Sequence, residues 1–246
     1  MCGRYTLRTP ADAVLDHFQL GAAAPLQLAL RFNIAPMQDA PVVRWQRTPV
    51  ELAESADATL ESPESTGQRE LAGLRWGLVP FWAADPKGGA RMINARSETV
   101  ASKPAFRAAF KRRRCLVPSD GYIEWETRGK QKLPHYIQMQ DERLFAYAGL
   151  WESWGKRETG NRLDTFTILT TDANDLTSSV HDRMPVILNE ADYDMWLDPD
   201  FNVVEPLQEL LRPYPGDEMK MRRVSTRVNN VRNDDPECLE SPQELF

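Results

Sequence analysis

RCLVPSDGYIEWE, residues 114–126, opens a run of four segments rich in β-branched and aromatic residues, and this run decides the fold. The other three segments are LPHYIQMQ (133–140), LFAYAGLWESW (144–154) and DTFTILTTDA (164–173). Two of the polar connections, RGKQK (128–132) and DE (141–142), are short enough to join antiparallel neighbours. The run therefore predicts a mainly antiparallel β-sheet.

Helical patterns flank this run. In TPADAVLDHF (9–18), Thr9 is a candidate cap, Pro10 suits the first turn and an apolar stripe follows. KPAFRAAFKRRR (103–114) places Phe106 and Phe110 four residues apart on one helix face. Further helices are predicted at 190–197 and 204–211, and further strands at 41–46, at 71–82 with a break at Pro80, and at 219–226. Strands in the middle and helices at the periphery indicate the α+β class.

The domain organisation predicted from the sequence is simple. The chain has 246 residues, 41% of them hydrophobic and 27% charged, which is typical of a globular protein. No stretch has the composition of a linker, so residues 1–246 are interpreted as one domain, and a monomer is compatible with this pattern. Residues 51–70 are acidic and contain Ser, Thr, Pro and Gly, which favours an exposed, partly disordered insertion between strands.

Several classes of protein are disfavoured. No apolar run is long enough to span a bilayer, and polar residues interrupt the N-terminal stretch where a secretory signal would lie. We therefore expect a cytoplasmic protein without membrane association. The cysteines (Cys2, Cys115 and Cys238) are widely spaced and the three histidines are scattered, so neither a disulfide framework nor a metal or cofactor site is expected.

The charge is unevenly distributed along the chain. The net charge is −6, yet residues 67–132 carry 14 Lys or Arg against 6 Asp or Glu, a local excess of 8 positive charges. Binding to phosphates depends on the local potential rather than on the total charge. The segregation favours an anionic partner, although KRRR (111–114) alone is also compatible with a solvated helix face.

The chain start, MCGRY, offers unusual chemistry. Cysteine is small enough for methionine aminopeptidase to remove Met1, which leaves an α-amine and a thiol on Cys2. Their reference pKa values are about 7.7–8.0 and about 8.5, so both are partly nucleophilic near neutral pH. With an aldehyde, the amine forms an imine and the thiol then closes a thiazolidine ring in an intramolecular step. From its position alone, an incidental cysteine is the favoured interpretation of Cys2.

Six motifs occur along the chain in the order MCGRY, RFNIAP, RWGLVPFW, INARSET, DGYIEW and VHDRMPVIL. Together they resemble the SOS-response-associated peptidase (SRAP) family, whose members capture abasic sites in DNA. The resemblance extends from Cys2 to RVNNVRND near Asn233. It implies an α+β fold with a barrel-like core, and a role in the DNA damage response. It also implies single-stranded DNA containing abasic sites as the partner, and association with the nucleoid when that DNA is bound.

The resemblance assigns roles to four residues of a catalytic site. It implies that Cys2 attacks the ring-opened sugar and forms a thiazolidine crosslink. Asn94 would orient the sugar and the Cys2 amine, Glu124 would move protons, and His181 would assist opening of the sugar ring. Taken singly, Asn94 is also typical of a turn, His181 of a hydrogen-bonded structural histidine, and Glu124 of the solvent face of its strand.

The same resemblance implies a DNA-binding surface. Arg4 and Arg96 match positions that bind phosphates beside the lesion, a task that suits guanidinium groups. Phe81 and Trp82 match a loop that packs on exposed bases, and we expect one of these two rings to lie in the core instead.

Two other functions remain open from the sequence. The first is a cysteine-type peptidase, including one that removes its own first residue, in which Cys2 and His181 would form a thiol–imidazole pair. The second is a non-covalent binder of single-stranded or modified DNA in which Cys2 is idle. Cleavage of the DNA strand by β-elimination from the imine (lyase activity) is a further side reaction of the crosslinking hypothesis.

Overall fold

The structure is a computed structural model that describes residues 2–21, 28–47, 67–155, 160 and 162–242. Its strands are β1 (Tyr5–Leu7), β2 (Arg31–Ile34), β3 (Asp39–Arg47), β4 (Gly67–Trp76), β5 (Asn94–Arg96), β6 (Arg114–Ser119), β7 (Gly121–Arg128), β8 (Gln131–Met139), β9 (Phe145–Trp154), β10 (Leu163–Asp172), β11 (Arg183–Pro185), β12 (Ile187–Leu188) and β13 (Met219–Arg223). Its α-helices are α1 (Ala11–His17), α2 (Arg107–Arg112), α3 (Tyr193–Leu197) and α4 (Val204–Glu209). Short 3₁₀ turns lie at Pro86–Arg91, Thr177–Ser179, Glu190–Asp192, Gly216–Glu218, Thr226–Asn229 and Pro236–Leu239.

The strands form two sheets. The first sheet is antiparallel throughout, in the order β13-β8-β7-β1-β2. The second has the order β11-β10-β4-β3-β6-β9-β12, and an additional pairing of β10 with β9 closes five of its strands into a barrel. Among the described residues, parallel pairing is confined to β10 with β4 and β10 with β5. The predicted α+β class, the mainly antiparallel sheet and the barrel-like core are confirmed.

The quoted stretch 114–126 is divided between the two sheets at Asp120. Strand β6 pairs with β3 and β9 in the barrel, whereas β7, which begins one residue after Asp120, pairs with β1 and β8 in the first sheet. Gly121, the first residue of β7, has no room for a side chain, because a Cβ there would lie 2.2 Å from the hydroxyl of Tyr136. The β7–β8 hairpin turns through Gly129 in the left-handed region (φ +62°), as the predicted connection 128–132 requires.

Aromatic side chains connect the two sheets. Tyr5 on β1 packs edge-on against Trp76 of β4, with ring centroids 5.3 Å apart, and against Tyr147 of β9 at 5.9 Å. Trp76 stacks on Phe166 of β10 at 6.3 Å. All four rings are buried in one hydrophobic core, which therefore lies directly behind the strand that follows Cys2.

The predicted helix at 103–114 is shorter in the structure, and its last residue has another role. Residues 103–106 form turns, α2 begins at Arg107, and Arg114 starts β6. Arg114 is buried and donates hydrogen bonds to the carbonyl groups of Phe110, Lys111, Trp196, Asp198 and Phe201. Burial lowers the pKa of Arg114 to about 10. The interpretation as a solvated helix face is therefore wrong for Arg114, because five carbonyl oxygens replace the water that would otherwise hydrate its guanidinium group.

Two smaller expectations also change. Thr9 does not cap α1; its hydroxyl donates to the Asp120 carboxylate at 3.1 Å instead. The acidic stretch 51–70 lies outside the described residues up to position 66. Residues 67–70 belong to β4, where Glu70 faces Arg44 of β3 and forms an ion pair with it. Within the described part of the chain, no helix is long and apolar enough to cross a membrane.

Candidate nucleic-acid site

Cys2 is fully buried just before β1, the strand that lies between β7 and β2 in the first sheet. The side-chain amide of Asn94 donates a hydrogen bond from Nδ2 to the Cys2 carbonyl oxygen at 2.8 Å. Asn94 is held there because β5 pairs with β10, opposite Ile168. The Cys2 Sγ lies 3.9 Å from the Arg4 carbonyl oxygen. A residue 92 positions along the chain thus fixes the backbone of Cys2.

Glu124 shares this neighbourhood. Tyr122 pairs with Tyr5 across β7 and β1, and the Ile123 amide donates to the Arg4 carbonyl at 3.0 Å, so the next residues of β7 lie beside the chain start. Glu124 is only 3% exposed, which makes the solvent-face interpretation wrong. Burial raises the pKa of the Glu124 carboxyl, an effect that neighbouring His181 opposes. Burial also raises the pKa of the Cys2 thiol, and the charge of Glu124 adds to that rise.

His181 lies in the loop between the 3₁₀ turn Thr177–Ser179 and β11. Its backbone amide donates to the Thr177 carbonyl at 3.0 Å, which fixes the loop. Its ring nitrogen Nδ1 accepts a hydrogen bond from the Arg183 amide at 3.0 Å and lies 2.8 Å from the Asp182 carboxylate.

A pocket of about 510 Å³ opens beside these groups and is lined by Arg4, Glu124, Trp125, Lys132, His181 and Asn229. The Arg4 guanidinium lies 5.6 Å from the centre of the Trp125 ring, a cation–π arrangement. The indole of Trp125 donates to Asn229 Oδ1 at 2.7 Å. The structure thus brings together all four residues predicted for catalysis, with Arg4 at the same pocket.

The other predicted DNA contacts lie on exposed surface. Arg96 is exposed at the end of β5, two residues after Asn94. Phe81 and Trp82 are 60% and 58% exposed, so the expectation that one ring lies in the core is wrong. The loop after Pro80 turns both rings outward, and the indole of Trp154 fastens it by donating to the Ala83 carbonyl at 2.7 Å. Two adjacent exposed aromatic rings are unusual on a surface without a partner.

Comparison with known proteins identifies the family. A family model described as SOS response associated peptidase (SRAP) matches residues 1–231. The chain belongs to the SRAP family. It is 39% identical over 243 residues to a Bacillus subtilis protein named abasic site processing protein YoqW, covering 98% of this chain and 100% of that protein.

More distant members are also similar to this SRAP chain. The abasic site processing protein HMCES of Xenopus tropicalis is 35% identical over 196 residues, which cover 71% of this chain and 58% of that protein. A solved structure of a Bacteroides thetaiotaomicron protein is 27% identical with a TM-score of 0.79, covering 98% of this chain and 99% of that one.

Sequence reasoning missed four polar or aromatic residues of this SRAP site. Trp125 and Asn229 lie in the stretches DGYIEW and RVNNVRND, but no role was predicted for either residue. Asn33, in RFNIAP, is buried and contacts Arg4. Lys132, in the β7–β8 hairpin, carries no sequence signal, because a lysine near a turn is ordinary.

Proposed function

We propose that this SRAP chain processes abasic sites in DNA by covalent capture through Cys2 after Met1 is removed. One observation carries the proposal: a buried Cys2, its carbonyl held by Asn94, lies beside β7, whose Glu124 lines a pocket together with His181. The names of the relatives, abasic site processing proteins, support DNA containing a lost base as the substrate.

The first bond joins nitrogen to carbon. The Cys2 amine attacks the C1′ aldehyde of the ring-opened abasic sugar, and the aldehyde oxygen takes up a proton to give a carbinolamine. Loss of water then requires a second proton on that oxygen. Glu124 donates it, because burial raises its pKa and keeps more of it protonated near neutral pH than an ordinary glutamate. The products are a protonated imine (an iminium), the Glu124 carboxylate and one water molecule.

The second bond joins sulfur to the same carbon. The thiol proton passes to the Glu124 carboxylate as Sγ adds to the iminium carbon, and the electron pair of the C=N bond returns to the nitrogen, which becomes a neutral amine. A five-membered thiazolidine results, so the two steps together release one water and leave Glu124 protonated. Because sulfur and nitrogen belong to one residue, ring closure gains the advantage of an intramolecular reaction.

Asn94 and His181 assist these steps. Asn94 Nδ2 fixes the Cys2 carbonyl, while its Oδ1 is buried and accepts no hydrogen bond from the described residues. That oxygen is available to accept a hydrogen bond from the Cys2 amine or from a sugar hydroxyl. Such a bond would remove the energetic cost of leaving Oδ1 buried without a partner. His181 gives the proton that the sugar-ring oxygen needs when the ring opens.

DNA is held through its backbone and stacking bases, because an abasic site presents no base edge to read. Arg4 and Arg96 bind phosphates, while Phe81 and Trp82 stack on bases of a single strand. The imine stage also permits strand cleavage by β-elimination, which ring closure suppresses. In this scheme residues 1–246 act as a single domain, a monomer is sufficient, and the protein joins the nucleoid when it meets damaged DNA.

A denaturing gel tests the proposal. The processed protein is incubated with single-stranded DNA carrying an abasic site, or with a tetrahydrofuran analogue that has no aldehyde. We expect a shifted band that survives heat and detergent only with the abasic site. Cys2→Ala should abolish it, whereas Cys115→Ala, which removes another buried thiol, should not. An equal band with Cys2→Ala would refute capture by Cys2, and retardation confined to native gels would indicate a non-covalent binder.

Intact mass provides the accompanying test of processing. We expect the mature chain to lack Met1, because an acylated nitrogen cannot form the imine. A chain that keeps Met1 and still gives the heat-stable band would contradict the mechanism. If Met1 is lost in a host without aminopeptidase activity but retained in Cys2→Ala, the chain removes its own first residue.

A further inference from the structure

Asn33, on β2, uses both ends of its side-chain amide. It is fully buried. Its Oδ1 accepts a hydrogen bond from Arg4 Nη1 at 3.0 Å. Its Nδ2 faces the carbonyl oxygens of Val228 at 3.2 Å, Asn230 at 3.1 Å and Asn233 at 2.7 Å. One amide therefore joins an arginine of the pocket to a segment about 200 residues further along the chain.

The partner is the C-terminal segment, defined here as residues 226–235. Asp234 fastens it to β2, because its carboxylate accepts from the amides of Phe32 at 2.6 Å and Asn33 at 2.8 Å. At its other side, Asn229 accepts from the Trp125 indole and lines the pocket with Glu124. The C-terminal segment is thus one wall of the site, and Asn33 is buried beneath it.

Arg4 is held in one orientation by this arrangement. The same Nη1 that contacts Asn33 also donates to the Val228 carbonyl at 2.7 Å, and the guanidinium lies over Trp125. These contacts involve uncharged groups, so the positive charge of Arg4 is not neutralised by them. An arginine fixed before the ligand arrives loses less conformational entropy on binding it.

We propose that Asn33 is a positioning residue of the DNA site, which holds Arg4 and the C-terminal segment in the arrangement that binds a phosphate. The inference rests on the proposed function, in which Arg4 contacts the DNA backbone. Because Asn33 contacts Arg4 rather than Cys2, it acts on the affinity for DNA and leaves the covalent step intact.

The first test separates affinity from chemistry. For single-stranded DNA with the tetrahydrofuran analogue, we expect Asn33→Ala to raise Kd about tenfold, the factor of one hydrogen bond to a charged group. The slope of log K against log salt should become shallower by about 0.7, the value of one phosphate contact on a single strand. The crosslinking rate at saturating abasic DNA should stay within about twofold of wild type. Asn189→Ala, a change at an exposed asparagine, is the matched control.

A double-mutant cycle tests the route through Arg4. In an Arg4→Ala background, Asn33→Ala should raise Kd less than about twofold further, because the group it positions is gone. A full additional tenfold loss would overturn the inference, as would an unchanged salt slope in Asn33→Ala. A lower crosslinking rate at saturating DNA would equally overturn it, since that result places Asn33 in the chemistry.

Asn33→Asp keeps the test decisive if Asn33→Ala does not fold. The aspartate keeps the size and the oxygen that faces Arg4, but it replaces the NH₂ group with an oxygen opposite three carbonyls. Hydrogen exchange in residues 226–235 should accelerate, and Kd should rise because the new carboxylate neutralises Arg4. Unchanged exchange with a wild-type Kd would refute the inference. If the wild type forms no heat-stable adduct while these variants still weaken binding, the proposed function fails and the role of Asn33 stands.

Discussion

Replacing Glu124 by Gln removes one ionisable group from the buried side of β7 and leaves its shape nearly unchanged. The side chain is 3% exposed, and burial raises its pKa. A general acid of this kind accelerates a proton transfer by about 10²–10⁴-fold. Because His181 lines the same pocket, we expect it to move some protons in place of Glu124, which gives the lower end, about 100-fold slower capture. The affinity for the tetrahydrofuran analogue should be equal or slightly tighter, since a negative charge leaves the pocket.

The same substitution should stabilise the protein, with a definite pH dependence. A carboxyl whose pKa is raised by folding favours the folded state only while it is protonated, so its contribution is lost as pH rises through the folded pKa. Each unit by which folding raises the pKa of Glu124 lowers the free energy of unfolding by about 1.4 kcal/mol once the carboxyl is ionised. Glu124→Gln should therefore raise Tm at pH 8, by roughly 2–4 °C per kcal/mol for a chain of this size, and leave it unchanged at pH 4.

The assay measures single-turnover crosslinking against pH. In the wild type, the rate should rise as the Cys2 amine loses its proton and fall again as Glu124 ionises at higher pH. In Glu124→Gln the alkaline fall should disappear, leaving a slow, rising profile. Removing the Glu124 charge also lowers the pKa of the Cys2 thiol, so the slower rate cannot be attributed to a less acidic sulfur.

Capture of abasic DNA by Glu124→Gln at the wild-type rate, or with the alkaline fall retained, would refute a role of Glu124 as the general acid. Parallel losses of rate, affinity and Tm would instead make Glu124 a structural residue. A reduced crosslinking rate together with a higher Tm at pH 8 would support Glu124 as a general acid with a raised pKa.

Three further predictions concern DNA contacts and the position of Cys2. Arg96→Ala should weaken binding of single-stranded DNA and reduce its salt slope by about 0.7 in a titration at several ionic strengths, because one phosphate contact is lost. Trp82→Ala should cost about 1–3 kcal/mol of binding free energy in a fluorescence anisotropy titration, while Tm stays constant because the ring is already 58% exposed. Asn94→Ala should slow crosslinking about tenfold or more at saturating DNA, since it frees the Cys2 carbonyl; a wild-type rate in a quench-flow experiment would remove Asn94 from the site.

Local sequence patterns were sufficient to predict most strands but not the sheets they join. Alternating apolar residues predicted strands within 114–126, yet the chain leaves the barrel for the first sheet at Asp120. That change depends on contacts with the chain start: the Asp120 carboxylate accepts from the Thr6 hydroxyl at 2.5 Å and from the Thr9 amide at 2.9 Å. Such partners are invisible to a local pattern. The parallel pairing of β10 with β4 and β5 is equally non-local.

In the candidate site, too, local patterns predicted some features, whereas others depend on contacts between distant segments. The motifs predicted Cys2, Asn94, Glu124 and His181 as a group, but strand alternation left the side on which Glu124 lies undecided. Its burial follows from the pairing of β7 with β1 and from the segments that cover the pocket, including Asn229 from the end of the chain. The exposure of Phe81 and Trp82 depended on a similar distant contact, the indole of Trp154 on the loop that carries them.

Burial of both Cys2 and Glu124 fixes the order of the proposed chemistry. A thiol whose pKa is raised by desolvation provides little thiolate near neutral pH, whereas a terminal amine with an ordinary pKa of about 7.7–8.0 is partly deprotonated there. Nitrogen must therefore attack first. Only after Glu124 has given its proton to the departing water is a carboxylate present beside the thiol, and a carboxylate of raised basicity is what a buried thiol needs as its proton acceptor. The burial that makes the sulfur unreactive at rest thus also provides the base that activates it, once the imine has formed.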